Sequence, residues 1–478
     1  DLRYTTIRCI FDKRGKFTMP KRMTTVPVEV GKQYSVEVTG LGHSGEGVAR
    51  VEGFTVFVLG ALPGDLATIE IEEVKKNYAR GHLLHLERPS IHRVSPPCGV
   101  HNECGGCQLQ TFEYSAQLAW KRRRVQDELE RIGDIHGVEV LPVIGMEHPY
   151  QYRNKSQYPV GLRDGKIVMG FYKRGTHDIV ETPTGCLIDH PLNTKAIKAV
   201  KVLLNEFRMS AYDEITGTGL FRHVMARTSV SREEVMVVFV TNGEEIPQVE
   251  LLVSKLCSQV PEIVSIHQNI NTRRGNIILG ERTRLLWGEP VIRDRIGHLE
   301  FEISPRSFFQ VNPVQTKVLY DLAKEYAGLT GTELVVDAYC GIGTIALYVA
   351  DQAKRVIGIE DVPEAIEDAK RNSALNGIRN VTFYTDKVEE RLPRLVGDGL
   401  RPDVVILDPP RKGAEPEVLQ AISEAEVSRI VYVSCNPSSL ARDMKLLQPL
   451  GYAAKKVQPV DMFPHTAHVE CVVLITKL

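Results

Sequence analysis

The chain has 478 residues, which at roughly 150 residues per domain predicts about three domains. Hydrophobic residues make up 43% and charged residues 25%, which excludes a disordered or fibrous chain. Lys and Arg number 59 against 60 Asp and Glu, a net charge of −1, and that average argues against a nucleic-acid binder, which is usually basic.

Residues 1–24 carry seven Lys/Arg against two Asp. They contain no apolar run of the signal-peptide kind and read as a tail open to disorder. No stretch reaches the ~18 apolar residues of a membrane-spanning helix. Nine cysteines, an odd number in a long chain, fit a reducing cytoplasm, where clustered cysteines bind metal or catalyse rather than pair.

Residues 25–85 hold short alternating runs such as QYSVEVTGLG, FTVFVLG and LATIEIEEV, with glycines between them. Four or five strands in about 60 residues predict a small barrel of the OB-like size class. Residues 86–110 contain the densest cysteine cluster. The periodicity of 111–133 predicts a helix bearing a basic patch, Lys121 to Arg124, and stopped at Gly133. Residues 150–300 mix strand-like and helix-like runs and read as an α+β domain. Their first segment, 150–175, carries six Lys/Arg against one Asp.

From about residue 300 apolar strands (ELVVDAY, RVIGIE, VTFYTD, DVVILD, IVYVSC and the last, ECVVLIT) alternate with helices. That rhythm predicts a doubly wound parallel sheet. Charge splits along the same line: residues 331–426 carry 18 acidic and 11 basic residues. The near-neutral total is therefore an average over an acidic C-terminal half and basic N-terminal segments.

Five patterns carry chemistry. In ELVVDAYCGIGTIALYVA a strand turns through Gly341 and Gly343 into a helix, which lets a ligand approach the backbone. Glu360, at the end of the next strand, stands where a carboxylate accepts ribose hydroxyls, and Asp386, after the third strand, stands where an adenine could be faced. The strand of VVILDPPRKG delivers Asp408 to the carboxyl edge of the sheet, and two prolines stiffen the turn. Cys435, in VYVSCNPSS, reaches the same edge and reads as an exposed reactive thiol or a buried small residue. Glu470 opens the final strand beside His468 and reads as a general base or an edge carboxylate. Cys98, Cys104 and Cys107, with Cys186 downstream, suit a [4Fe–4S] cluster or zinc. Cys9, Cys257, Cys340 and Cys471 have no cluster spacing.

The set FFQVN (308–312), DAYCGIGT (337–344), LDPPRKG (407–413), SCNP (434–437) and HVE (468–470) resembles the RNA uracil-5-methyltransferases that use S-adenosylmethionine. The N-terminal β-unit looks like a TRAM domain, and the cysteines match the iron–sulfur branch of that family. The resemblance covers residues 25–478. It implies an α/β chain of three parts: a TRAM barrel (25–85), a central RNA-binding domain with the cluster site (86–300), and a Rossmann-like methyltransferase domain (301–478). It further implies that Gln310, Tyr339, Glu360 and Asp408 line the S-adenosylmethionine site, that Cys435 is the nucleophile, and that Glu470 removes the proton from carbon 5. Carrying both TRAM and cluster cysteines, the chain resembles the 23S ribosomal RNA enzymes more than the tRNA enzymes. Phe308 and Phe309 are candidates to stack the extruded uracil, or core residues. Competing expectations are a tRNA enzyme, a radical S-adenosylmethionine methylthiotransferase, and a non-catalytic ribosome-assembly factor. No obligate protein partner and no membrane partner is expected.

Overall fold

The computed structural model describes residues 26–478; the tail at 1–24 and Cys9 lie outside them. The chain divides into two compact units, one up to Arg93 and one from Val94 to Leu478.

The first unit is a closed barrel of five strands: β1 (Gln33–Leu41), β2 (Gly47–Val51), β3 (Phe54–Leu59), β4 (Leu66–Val74) and β5 (Tyr78–Arg88), in the order β1-β2-β3-β5-β4. Alternation puts Val36, Val38, Val56, Val58, Ile69 and Ile71 inside. Gly81 is required by contact, since a Cβ there would sit 2.7 Å from the Glu70 carbonyl. Buried Asp65 accepts the N–H groups of Leu62 (2.6 Å) and Ser90 (2.8 Å), which ties down the segment leaving β5.

The second unit opens with α1 (Tyr114–Arg131), followed by β6 (Lys155–Arg163), β7 (Lys166–Met169), β8 (Phe171–Tyr172), β9 (Ile179–Val180) and α2 (Pro191–Glu206). Then come β10 (Phe221–Ser229), β11 (Glu234–Thr241), α3 (Val249–Gln259), β12 (Ile263–Ile270) and β13 (Arg282–Gly288). A six-stranded sheet runs β13-β12-β11-β10-β6-β7, with α2 packed on β10 and β11. A short antiparallel pair, β14 (Ile292–Ile296) and β15 (Leu299–Ile303), leads to α4 (Pro313–Ala327).

The C-terminal sheet is built from β16 (Leu334–Ala338), α5 (Thr344–Val349), β17 (Arg355–Glu360), α6 (Pro363–Leu375), β18 (Val381–Thr385), α7 (Val388–Gly397), β19 (Val404–Leu407), α8 (Pro416–Glu424), β20 (Arg429–Ser434), α9 (Pro437–Leu447), β21 (Tyr452–Val460) and β22 (Glu470–Lys477). Its order is β18-β17-β16-β19-β20-β22-β21. Val335, Val356, Val404 and Val431 pack on one face, and Val336, Ile357, Val405 and Ile430 on the other. Burial on both faces is why these strands are apolar without alternation.

Two details depart from the expectation of a purely parallel sheet. β22 is inserted between β20 and β21 and runs antiparallel to both. β21, sequence YAAKKVQPV, is an edge strand whose Lys455 and Lys456 are exposed, the arrangement that tolerates both charge and proline. The basic patch on α1 also differs from expectation. Lys121 is fully buried and paired with Asp461 at 2.5 Å, Arg122 donates to the Val140 carbonyl, and Arg124 to that of Ala467. Three of the four cations thus bond within the protein, Lys121 buried, Arg124 half-buried and Arg122 exposed. Lys155, in the basic 150–175 segment, is half-buried, and burial with Arg227 and Arg153 nearby pushes its ammonium down to about 7.

Candidate active site and cysteine cluster

The first five strands of the C-terminal sheet deliver their carboxyl ends to one edge, where open α/β sheets bind ligands. At the end of β16 the chain turns through Tyr339 (φ 69°), Gly341 (φ 54°) and Gly343 (φ 81°) into α5. Gly343 is needed twice over, because a Cβ would also meet Phe383 at 3.0 Å and Ala369 at 3.2 Å. Glu360 closes β17 and accepts the N–H groups of Gly341 (3.1 Å) and Val362 (3.0 Å); burial pushes its carboxyl up. The glycine turn and the predicted ribose acid are thereby joined. Asp386 follows one strand further and pairs with Arg391 and Arg394 of α7 at 3.3 and 3.6 Å. Gln310 is buried, and its carbonyl accepts from Asn154. The two phenylalanines before it separate: Phe309 is a core residue tilted against Phe301, whereas Phe308 is 67% exposed.

The chemical groups meet one strand over. Ser434 of β20 stands opposite Cys471 of β22. Continuing that antiparallel register by one residue sets Cys435 opposite Glu470. Asp408 follows β19, next to β20 in the sheet. Asn436 donates to the Arg411 carbonyl at 2.9 Å, fastening the Cys435 turn to the Pro-Pro-Arg loop. Cys435 directly precedes the N-cap of α9, a place where the helix dipole favours a thiolate.

The electrostatics are lopsided. Burial raises Asp408 to about 7. Burial and then Asp408 raise Glu470 to about 8. Burial, Glu470 and Asp408 raise the Cys435 thiol to about 11 against the pull of Arg411. Asp337, fully buried at the end of β16, is pushed far above the carboxylate range by burial, then by Asp408 and Glu360. Asp337 was not singled out from sequence, although an acid inside the apolar run LVVDA is the signal that marks it. Four carboxyl groups thus converge with one nearby guanidinium, a setting that favours a cationic guest.

A pH dependence follows. Glu470 must be ionised to accept a proton and is protonated below about 8. The rate of proton removal from carbon 5, read as release of tritium from that carbon, should therefore rise with pH through that value. A profile flat from ~6 to ~9 would exclude Glu470 as the titrating base.

The four cluster cysteines come from the loop between β5 and α1 (Cys98, Cys104, Cys107) and from just before α2 (Cys186). Cys107 is buried and the others half-buried. Cys104 feels the charge of Cys98, Cys107 that of both, and Cys186 that of Cys107. Among the described residues, no three His, Cys, Asp or Glu side chains close into a metal-holding group. The surroundings nevertheless suit sulfur ligands. The Gly106 N–H points at the Cys104 sulfur at 3.4 Å, and the N–H groups of Ile188 and Asp189 lie toward Cys186. Cys257, Cys340 and Cys471 stand apart, Cys340 and Cys471 being buried. No helix among the described residues is long and apolar enough to cross a membrane.

Comparison with known proteins agrees with this architecture. Residues 27–84 match the TRAM domain family, and residues 289–478 match the tRNA (Uracil-5-)-methyltransferase family. A protein of Halalkalibacterium halodurans described as an uncharacterised RNA methyltransferase is 49% identical over 455 residues, 95% of this chain and 99% of the relative. A protein of the same description from Caldanaerobacter subterraneus is 49% identical over 94% of this chain and 99% of its own. Among solved structures, the Pyrococcus abyssi tRNA (uracil-54, C5)-methyltransferase in complex with S-adenosyl-L-homocysteine superposes with a TM-score of 0.75. It is 29% identical, covering 93% of this chain and 100% of that one.

Proposed function

The chain belongs to the RNA (uracil-5-)-methyltransferase family, and from that premise we propose that it methylates carbon 5 of a uridine in 23S ribosomal RNA through a transient Cys435 adduct. The observation that carries the chemistry is the β20–β22 register, which continued by one residue brings Cys435 opposite Glu470 beside buried acids; the TRAM domain together with the four cluster cysteines supports the 23S substrate. S-adenosylmethionine supplies an electrophilic methyl group on a positively charged sulfur. Asp337, Asp408 and Glu360 offer that charge a carboxylate-lined edge, while Tyr339, Gln310 and the Gly341–Gly343 turn shape the rest.

Carbon 5 of uracil is a weak nucleophile. The Cys435 sulfur bonds to carbon 6, which places enolate electron density on carbon 5. Carbon 5 then takes the methyl group as the bond from that methyl to the donor sulfur breaks and leaves its electron pair on the sulfur. Glu470 takes the proton from carbon 5, the double bond re-forms, and the carbon 6–sulfur bond breaks to return the thiolate. The exposure of Phe308, two residues before Gln310, supports it as the candidate to stack an extruded base. The TRAM barrel supplies an RNA-binding surface.

We further infer that Cys98, Cys104, Cys107 and Cys186 hold a [4Fe–4S] cluster, with zinc as the alternative, in a reducing cytoplasm. Bound there, the cluster would cross-link the 98–107 loop to the chain before α2. Cys107→Ser should strip iron and sulfide and lower the melting temperature by roughly 5 °C or more, the scale of a ~2 kcal/mol loss. A thermal melt and an RNA-binding titration check this; an unchanged melt with loss of chemistry alone contradicts it.

A tRNA substrate is the second reading, favoured by the 29% identical tRNA enzyme that superposes over 93% of the chain. Labelled S-adenosylmethionine offered with unmodified 23S rRNA and with unmodified tRNA decides between them. 5-Methyluridine recovered from the rRNA arm supports the first, and from the tRNA arm the second. Label in neither arm removes both.

A further inference from the structure

One buried amide joins the cysteine loop to the turn that carries the base. Gln117 of α1 is fully buried. Its Nε2 donates to the carbonyls of Leu109 (2.9 Å) and Phe112 (2.7 Å), just after Cys107. The same atom lies 3.2 Å from His465 Nδ1, and Gln117 Oε1 accepts the His465 N–H at 3.1 Å. The His465 carbonyl accepts the N–H groups of Gln108 (3.0 Å) and Leu109 (2.9 Å). Gln108 Oε1 accepts the Ala467 N–H at 3.3 Å. Glu470 is three residues further on.

The turn is held in a conformation it would not choose. His465 has φ 65°, a left-handed value that a non-glycine residue keeps only where its surroundings impose it. Its ring stacks on Tyr150 at 4.3 Å. Neither leucine nor glutamate can replace Gln117, because one side chain must donate to two carbonyls while accepting from a backbone N–H. Cys435 is positioned by other contacts: β20, the α9 N-cap, and Ser438 of α9 donating to Glu128 of α1 at 2.9 Å.

We propose that Gln117 is a positioning residue for the proton-removal step, setting the 461–469 turn, and so Glu470, against the cysteine loop. The proposal rests on Glu470 being the base. It predicts a selective defect: addition and methyl transfer survive, while proton removal and release of the enzyme lag.

The test uses the full chain and RNA carrying tritium at uridine carbon 5, in single-turnover experiments. Methyl incorporation, tritium release and protein–RNA adduct on a denaturing gel are followed for the parent, Gln117→Leu, Gln108→Ala and Glu470→Gln. For Gln117→Leu, tritium release should slow roughly 10–100-fold, the scale of an ångström-level misplacement. Methyl incorporation should fall less than about threefold and adduct should accumulate, with Gln108→Ala milder in the same direction. Should Gln117→Leu not fold, Gln108→Ala decides. Equal falls in methylation and tritium release, or no change in either, overturn the proposal while Glu470→Gln still traps adduct. Parental tritium release by Glu470→Gln overturns the base assignment itself and this inference with it.

Discussion

Cys435→Ala is expected to reduce 5-methyluridine formation to background, a loss on the order of 10⁴-fold or more, as when a covalent nucleophile is removed. No other group can take its place at carbon 6. Cys471 is the nearest thiol in the sheet register, but it is buried within β22, on the strand that pairs with β20. The fold should tolerate the change, because Cys435 is half-buried at a strand end and the truncation removes one sulfur atom. Melting temperature and S-adenosylmethionine affinity should therefore stay near the parent values while transfer disappears. Residual turnover within about tenfold of the parent would show that carbon 5 is activated some other way.

Glu470→Gln is expected to behave in a different manner. Addition and methyl transfer need Cys435 and proceed, but the proton on carbon 5 has no acceptor. The enzyme should stall as a covalent protein–RNA adduct that survives denaturation, with turnover lower by ~10²–10⁴-fold. Double replacement with Cys435→Ala should abolish the adduct, which identifies the bond. The substitution also has a predicted thermodynamic signature. Glu470 binds its proton more tightly in the fold, up to about 8, than in the unfolded chain. Its contribution to stability is therefore complete below the ordinary carboxylate range and is lost as pH rises toward that value. Glutamine removes this dependence, so the variant should lose less stability than the parent as pH rises from the ordinary carboxylate range to about 8. Denaturant melts at several pH values measure the difference; identical slopes would show that the Glu470 proton is not tightly held.

The parallel strands of the C-terminal sheet were legible because strands covered on both faces are apolar throughout, and the acids and thiols at their ends interrupt those runs. Asp408, Cys435 and Glu470 were found that way. β21 was not, because an edge strand with two exposed lysines and a proline resembles a loop. The inner machinery was hidden for a different reason. Lys121 finds its carboxylate 340 residues away at Asp461, and Gln117 finds His465 348 residues away. On a helix that reads as amphipathic, a buried lysine looks like a surface one, so nothing in the α1 patch announces that Lys121, Arg122 and Arg124 bond within the fold. Asp337 escaped notice because a single acid in an apolar run is also what a strand end looks like. The split between Phe308 and Phe309 likewise depends on which side of the chain meets Phe301.

The convergence of Asp337, Glu360, Asp408 and Glu470 bears on turnover as well as on binding. Methyl transfer changes the donor sulfur from a cation to a neutral thioether. Asp337 and Asp408, whose protons burial holds, ionise more readily beside a positive charge than once that charge is spent. On the proposed assignment of this edge to the donor, S-adenosylmethionine should bind there more tightly than its neutral by-product, a difference that competitive binding of the two measures.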